Sequence, residues 1–382
     1  MRISVRLPQV HPEQYDWPVR CPQEGCDGRH FKPHGVKGEH KAVRDPQCAA
    51  AVAYRFRCLS CGATFRVYPC GVSCDQQSDR LKALSVLLYV LGLSYGAVED
   101  LLSAMGMPLA KTTVYENVQE AGMTARQQQH QVLLQGGTRA VIGSDGTYLK
   151  VKGHEVGVQV VVDDRDSALL GLEIIVSENA EDVLGVVRTV AEQVQAEVLV
   201  SDDLDTYKRV ADALDLDHQI CRSHVKRNVD ALAEEFREQL KTKEPIPAGV
   251  ASSPEQLEKD LEQLQELVRA RPQDAEVRLE QWYGRYQQAP QPKAGERHTV
   301  WFRMRMLITR LWERWHRLTL DQRRSDLDGT NNSTERMIGW WIKERYRTMR
   351  GYKRTESVCN VVTLTAHLGV RSGNYDMTAL YA

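Results

Sequence analysis

Apolar and polar positions change their period along the chain, and the changes mark where its elements begin and end. From Asp79 to Ala121 apolar residues recur at helical spacing in three short runs, Asp79 to Leu91, Ser94 to Ala104 and Ala110 to Ala121. Gly92-Leu-Ser94 and Gly106-Met-Pro108 separate these runs as turns, so residues 78–122 read as three helices. A Gln-rich helical linker is expected over 123–137. The period then shortens: β-branched and apolar residues predict strands at 140–151, 156–163 and 168–177, a helix at 180–195, a strand at 197–202, a helix at 204–214 and a strand at 217–222. Beyond His224 the pattern is helical again, over about 224–242, 254–270, 273–287 and 297–319, with breaks at Pro245-Ile-Pro-Ala-Gly249 and Pro290-Gln-Pro292. The order predicts an α/β domain over 138–224 and 330–382, interrupted by an all-α insertion over 225–329.

Three carboxylates stand where this pattern gives an acid something to do. Asp145 lies in the middle of the strand Val141-Ile-Gly-Ser-Asp-Gly-Thr-Tyr-Leu-Lys-Val151. Burying an unpaired carboxylate is costly, so an acid there implies a cation beside it. Asp202 ends the apolar run Glu197-Val-Leu-Val-Ser-Asp202, at the carboxyl end of a strand, where ligands collect in α/β sheets. Glu335 falls in the first turn of a helix whose Met337, Ile338 and Trp341 share an apolar face. Two strands and a helix could bring the three acids together. Each has an alternative. Asp145-Gly146 is also a hairpin-turn signal. Asp203 or Asp205 could stand in for Asp202, or cap the following helix. Glu335 could close a capping box from Asn332.

The segment 1–77 carries Cys21-x4-Cys26 and Cys58-Leu-Ser-Cys61. Two such pairs read as zinc-ribbon-like, each pair in a turn and the four thiolates completing a tetrahedron around one structural Zn²⁺. Cys48, Cys70 and Cys74 are substitute ligands, scattered reduced thiols are the alternative, and His30, His34 and His40 read as facing solvent. In the three-helix segment, Lys111, Thr112, Thr113 and Tyr115 sit at the front of the third helix, as in the recognition helix of a helix-turn-helix, with a plain helical core as the alternative. In 297–319, Trp301, Phe302, Met306, Leu311, Trp312 and Trp315 interleave with Arg303, Arg305, Arg310, Arg314 and Arg317. That suits nucleic-acid backbone contact and base stacking, or simply a helix with a core side and a wet side.

Composition narrows the class. The chain has 382 residues, 42% hydrophobic and 26% charged, which is ordinary for a soluble protein of two to four domains. Its first residues lack the apolar stretch of a secretory signal, and its longest apolar run, Leu84 to Leu93, is too short to span a bilayer. A cytosolic protein with no membrane partner is expected, its nine cysteines serving as thiols or metal ligands. The formal net charge of −1 conceals two basic segments: residues 1–70 hold eleven Lys and Arg against six Asp and Glu, and residues 335–354 hold seven against two. Local sign, not the mean, decides phosphate contact.

Together these residues carry a resemblance. Asp145 in a first strand, Ser201-Asp-x4-Tyr207, Gln219-x-Cys-x2-His-x3-Asn228, a helical insertion and Asn331-Asn-x2-Glu335 resemble the DDE transposases of bacterial insertion sequences, and the Cys-x2-His element is similar to that of the Mutator-like group. The resemblance covers about residues 138–370 and implies a ribonuclease-H-like catalytic domain. It implies that Asp145, Asp202 and Glu335 hold two Mg²⁺ (or Mn²⁺) ions for DNA cleavage and strand transfer. Cys221 and His224, two soft ligands and too few for a structural zinc site of their own, read together with Asn332 as support for the active site. Lys343, Arg345, Arg347, Arg350 and Lys353 would then hold phosphates. The implied partners are the element's terminal inverted repeats and target DNA, with a homodimer in the synaptic complex and a bacterial or archaeal, nucleoid-associated setting. A DNA-binding regulator without catalysis and a structure-selective nuclease are the rival readings.

Overall fold

The computed structural model describes residues 4–72, 77–135, 138–348, 351–369 and 374–381; Cys74 and Arg350 lie outside these. The chain forms two compact units, one of Met1–Gln135, Leu149–Glu155 and Met337–Ala382, the other of Gly136–Tyr148 and Val156–Arg336. Among the described residues no helix is long and apolar enough to cross a membrane.

The first unit begins with a small antiparallel sheet. Its long strand Ala50–Cys58 pairs with Phe31–Pro33, Glu39–Ala42 and Thr64–Val67. Three helices follow: α1 (Asp79–Val90), α2 (Tyr95–Ala104) and α3 (Lys111–Gln135). Ser78 and Ser94 cap the first two, accepting from the N–H groups of Leu81 and Ala97. Residues 123–135, expected as a linker, are the second half of α3. Nothing interrupts them: Met123-Thr-Ala-Arg-Gln-Gln-Gln-His-Gln contains neither Gly nor Pro and consists mostly of good helix formers. The glycine at the junction, Gly122, is there for packing. A Cβ on it would fall 2.6 Å from the Cβ of Asn360 and 2.7 Å from its backbone oxygen, on the helix Thr355–His367. Gly122→Ala should therefore destabilise this unit by about 1–3 kcal/mol through overpacking, although alanine is intrinsically the better helix former by about 1 kcal/mol. Thermal unfolding checks this, and an unchanged or raised midpoint would show that Asn360 yields.

In the second unit, apart from the stretch Leu149–Glu155 that belongs to the first, the strands are β1 (Val141–Val151), β2 (His154–Asp163), β3 (Leu169–Ile175), β4 (Val198–Ser201) and β5 (Asp217–Ile220). They form one sheet in the order β3-β2-β1-β4-β5. β2 and β3 are antiparallel, whereas β1, β4 and β5 run parallel. The hairpin after β1 turns at Lys152-Gly153, both at positive φ, so Asp145 is a strand residue and not a turn residue. Helices α4 (Ala180–Val194) and α5 (Asp205–Leu214) connect β3, β4 and β5.

Helices α6 (Arg222–Leu240), α7 (Pro254–Ala270), α8 (Ala275–Tyr286) and α9 (Val300–Leu318) form the insertion, each within a few residues of its expected limits. They share one apolar core, with Phe236, Leu261, Trp282, Tyr286, Trp301 and Trp315 among its members. Helix α10 (Asn332–Met337) leads into a π-helical turn, Ile338–Glu344. Such turns are rare and concentrate near functional positions.

Candidate functional site

The parallel register places the first two acids side by side. Val200 of β4 is paired with Gly143 of β1, and Asp202 and Asp145 each lie two residues further along. Neighbouring strands run about 4.8 Å apart, so Asp202, the first residue after β4, comes close to Asp145, and the two carboxyls repel one another. Both are half-buried. Burial raises the pKa of Asp145 to about 7, with Asp202 and Glu178 adding repulsion against the Gly146 N–H bond that favours the ion. Burial likewise raises Asp202, against a bond from the Leu204 N–H. Glu178, a fourth acid with no sequence signal of its own, precedes α4 and is raised by burial and by Asp202. A Cβ on Gly146 would run into its carboxylate, so the glycine after Asp145 makes room for it. Desolvated carboxyls that repel one another are a donor set for a hard divalent cation.

Asp203 and Asp205 do not compete with Asp202. Arg314 of α9 pairs with both, and Arg310 lies 2.9 Å from Asp203. The remaining arginines of α9 are also committed inside the unit: Arg303 to Glu235, Arg305 to the carbonyl oxygens of Gln287 and Ala289, and Arg317 to Asp212. Each of the five arginines that alternate with its aromatics thus has a partner within the unit.

Glu335 sits in the first turn of α10 and faces the start of α6. His224 Nδ1 is 3.3 Å and Arg227 3.7 Å from its carboxylate. Cys221, the residue before α6, is fully buried, and its Sγ accepts the Asn331 N–H at 3.2 Å. Burial alone would raise the Cys221 thiol, but His224 and that N–H outweigh it and the pKa falls. Contact with Cys221 raises His224 in turn. Asn331 and its neighbour Asn332, the one expected to support the site, differ in placement. Asn331 is buried and donates from Nδ2 to the Ser144 carbonyl at 3.4 Å, whereas Asn332 is exposed. Gly143 has no Cβ because Thr334 occupies that space, which lets α10 come down onto β1.

In the first unit, Cys21, Cys26, Cys58 and Cys61 come together with all four Sγ atoms within 4.8 Å. The Sγ atoms of Cys21 and Cys61 are 3.8 Å apart and those of Cys26 and Cys58 3.9 Å. Zn–S bonds of about 2.3 Å in a tetrahedron require edges of about 3.8 Å. The Cys61 and Ser60 N–H groups turn toward Cys58 and bring its thiol down to about 6 despite burial. Cys48 instead donates to the Ala50 carbonyl, and Cys70 is not part of the cluster.

Also in the first unit, Lys111, Thr112 and Tyr115 of α3 line one cavity of about 840 Å³ together with Tyr95, Lys353 and Arg354. Tyr89 and Tyr95 stack at 4.3 Å. Tyr115 meets Tyr95 edge-on and shares a hydrogen bond with Ser357 at 3.2 Å. Thr113 is half-buried and does not line the cavity. Lys343 and Arg347 are exposed, whereas Arg345 is buried over the Tyr89 ring and donates to the Leu93 carbonyl.

The family model described as Transposase IS66 family matches residues 77–348. No curated protein matches the chain. Among solved structures, a Drosophila P element transposase strand transfer complex is similar at 10% identity and a TM-score of 0.27, over 75% of this chain and 78% of that one.

Proposed function

The chain belongs to the IS66 transposase family, and from that premise we propose that it cuts and joins DNA at the ends of its own element with a metal-dependent carboxylate site. The observation that carries the proposal is the parallel register of β4 on β1, which brings Asp202, just past the end of β4, beside Asp145 of β1. The strand order β3-β2-β1-β4-β5, with three antiparallel strands followed by two parallel ones, supports a ribonuclease-H-like core.

Asp145, Asp202 and Glu335 would hold two Mg²⁺ (or Mn²⁺) ions, with Glu178 near enough to assist. Bound there, the ions would supply activation of the attacking oxygen and stabilisation of the leaving one. The chain's own residues set the stage. The rigid sheet fixes the two aspartates, the Gly146 N–H orients Asp145 at 2.8 Å, and Arg314 holds Asp203 and Asp205 out of the site. Cys221, His224 and Asn331 position the helix that carries Glu335. In the first unit, Cys21, Cys26, Cys58 and Cys61 would hold one structural Zn²⁺. The partners are the element's inverted repeats and target DNA, with a homodimer bridging two ends.

The test is incubation of the full chain and Mg²⁺ with a labelled duplex carrying the DNA ends that flank its gene. Cleavage at the ends followed by joining is expected. Binding without cleavage would make the protein a regulator, and cleavage without joining a nuclease.

DNA contact divides between α3 and the segment after Glu335. Thr112→Ala with Thr113→Ala should narrow the gap between repeat and random DNA, at about 1–3 kcal/mol per lost base contact. Thr112, exposed at the cavity, should account for most of it. Arg347→Ala should instead weaken all sequences alike and reduce the log–log salt slope by about one. Lys353 shares the cavity with Thr112, so Lys353→Ala should show both effects. Isotherms at several salt concentrations separate the outcomes, and a threonine variant with full discrimination would move base reading to Arg55, Arg57 and Arg66.

A further inference from the structure

Cys221, His224 and Glu335 offer Sγ, a ring nitrogen and a carboxylate oxygen that all lie within 4.8 Å of one another. The sequence supplies the first two as a Cys-x2-His pair at the start of α6, one turn apart and therefore on one face. The third comes across from α10. His224 Nδ1 and Glu335 Oε1 are 3.3 Å apart, and both atoms are buried. Neither makes a hydrogen bond. At 3.3 Å they are within ion-pair distance when the imidazole is protonated, and Arg227 stands 3.7 Å from the same oxygen; a metal ion between nitrogen and oxygen would take the place of that proton. Ligands at about 2.0–2.1 Å from one tetrahedral Zn²⁺ stand about 3.4 Å apart, close to the observed spacing. The third donor is prepared as well: Cys221 Sγ accepts the Asn331 N–H at 3.2 Å, the kind of support that orients a thiolate ligand.

We propose that Cys221, His224 and Glu335 form a binding site for a borderline transition-metal ion of the Zn²⁺ type, separate from the four-cysteine cluster. A thiolate and an imidazole select such an ion over Mg²⁺, and three protein ligands leave the fourth position to water. Binding releases the thiol proton to solvent, so occupancy falls in acid. Glu335 is the shared group. On the reading that Glu335 also serves the catalytic Mg²⁺ ions, zinc at this site withdraws it from them and restrains cutting. The binding itself does not depend on that reading.

The experiment uses the full chain with its four-cysteine cluster saturated by one equivalent of Zn²⁺, then titrated with Co²⁺ as a spectroscopic probe. One further Co²⁺ per chain is expected, with tetrahedral d–d bands and a thiolate-to-cobalt charge-transfer band. Cys221→Ser should lose the charge-transfer band, and His224→Ala should weaken binding about 10–100-fold. Retention of the first zinc and an unchanged circular dichroism spectrum certify that each variant is folded. No additional ion in the folded wild type, or identical titrations in both variants, would overturn the site. Zinc titrated into Mg²⁺-dependent nicking then tests the sharing: inhibition that chelation reverses supports it, and binding without inhibition refutes it. A chain that binds Co²⁺ here but never nicks DNA would count against the catalytic reading while leaving the metal site standing.

Discussion

Asp145→Asn, Asp202→Asn and Glu335→Gln should each abolish Mg²⁺-dependent nicking of a transposon-end duplex, a loss on the order of 10³-fold or more, while its binding stays close to wild type. The amides keep the shape of the acids and remove the charge that binds a hard cation. Binding survives because the residues proposed to touch DNA lie on α3 and after Glu335, not at these acids. The structure also makes the Asp202 arm decisive. Asp203 and Asp205 are paired with Arg314, so neither is expected to take over the role. An Asp202→Asn enzyme that still nicks would therefore count against the carboxylate site itself. Glu178→Gln gives the graded contrast. Glu178 repels Asp145 and is raised by Asp202, so it lies close to the pair. Its loss should raise the Mg²⁺ requirement about 10–100-fold and leave the maximal rate measurable. A magnesium titration of nicking distinguishes the two classes.

Much of this was legible in the residue pattern because period and packing agree. The strands around Asp145 and Asp202 are β-branched runs bounded by clear breaks, and the insertion helices carry strong apolar stripes, so their limits come out within a few residues. What escaped the pattern depends on contacts distant in sequence. Gly122 looks like the end of a helix until the helix Thr355–His367 is seen pressing against it. Asn331 and Asn332 are adjacent and chemically identical, and only the proximity of Cys221 and the Ser144 carbonyl makes the first the buried one. The arginines of α9 alternate with aromatics as a nucleic-acid surface would, but their acidic partners lie on the loop before α5, within it and on α6. Glu178 had no signal because it borders a loop. The one faint trace was Gly146, whose missing Cβ makes room for that carboxylate.

Removing zinc from the four-cysteine cluster should unfold the N-terminal segment. Its apolar core is small: Val43, Ala51 and Val72 are buried together, with Val10 and Tyr68 packed beside them. The rings of Tyr15, Trp17, Tyr54, Phe56 and Phe65 add a second cluster, in which Trp17 is still half in solvent at 52% exposure. So little buried area does not offset the chain entropy of about seventy residues, at roughly 1–2 kcal/mol each. A Zn²⁺ held by the four thiolates would supply part of the difference, since structural zinc provides about 10–16 kcal/mol of binding energy in small domains near pH 7. The cluster ties the loop holding Cys21 and Cys26 to the turn holding Cys58 and Cys61, so losing the ion releases the end of the sheet where Phe31 pairs with Cys58. Elemental analysis of a fragment spanning residues 1–77 should find one zinc per chain. Chelation, or Cys58→Ser, should abolish its near-ultraviolet aromatic signal, which the stacked rings of Tyr15 and Trp17 would otherwise give. Cys48→Ser is the control, because that thiol bonds only the nearby Ala50 carbonyl and should change neither zinc content nor signal. A fragment that keeps its fold without metal would show that the four thiols are merely close neighbours, with the aromatic cluster holding the sheet by itself.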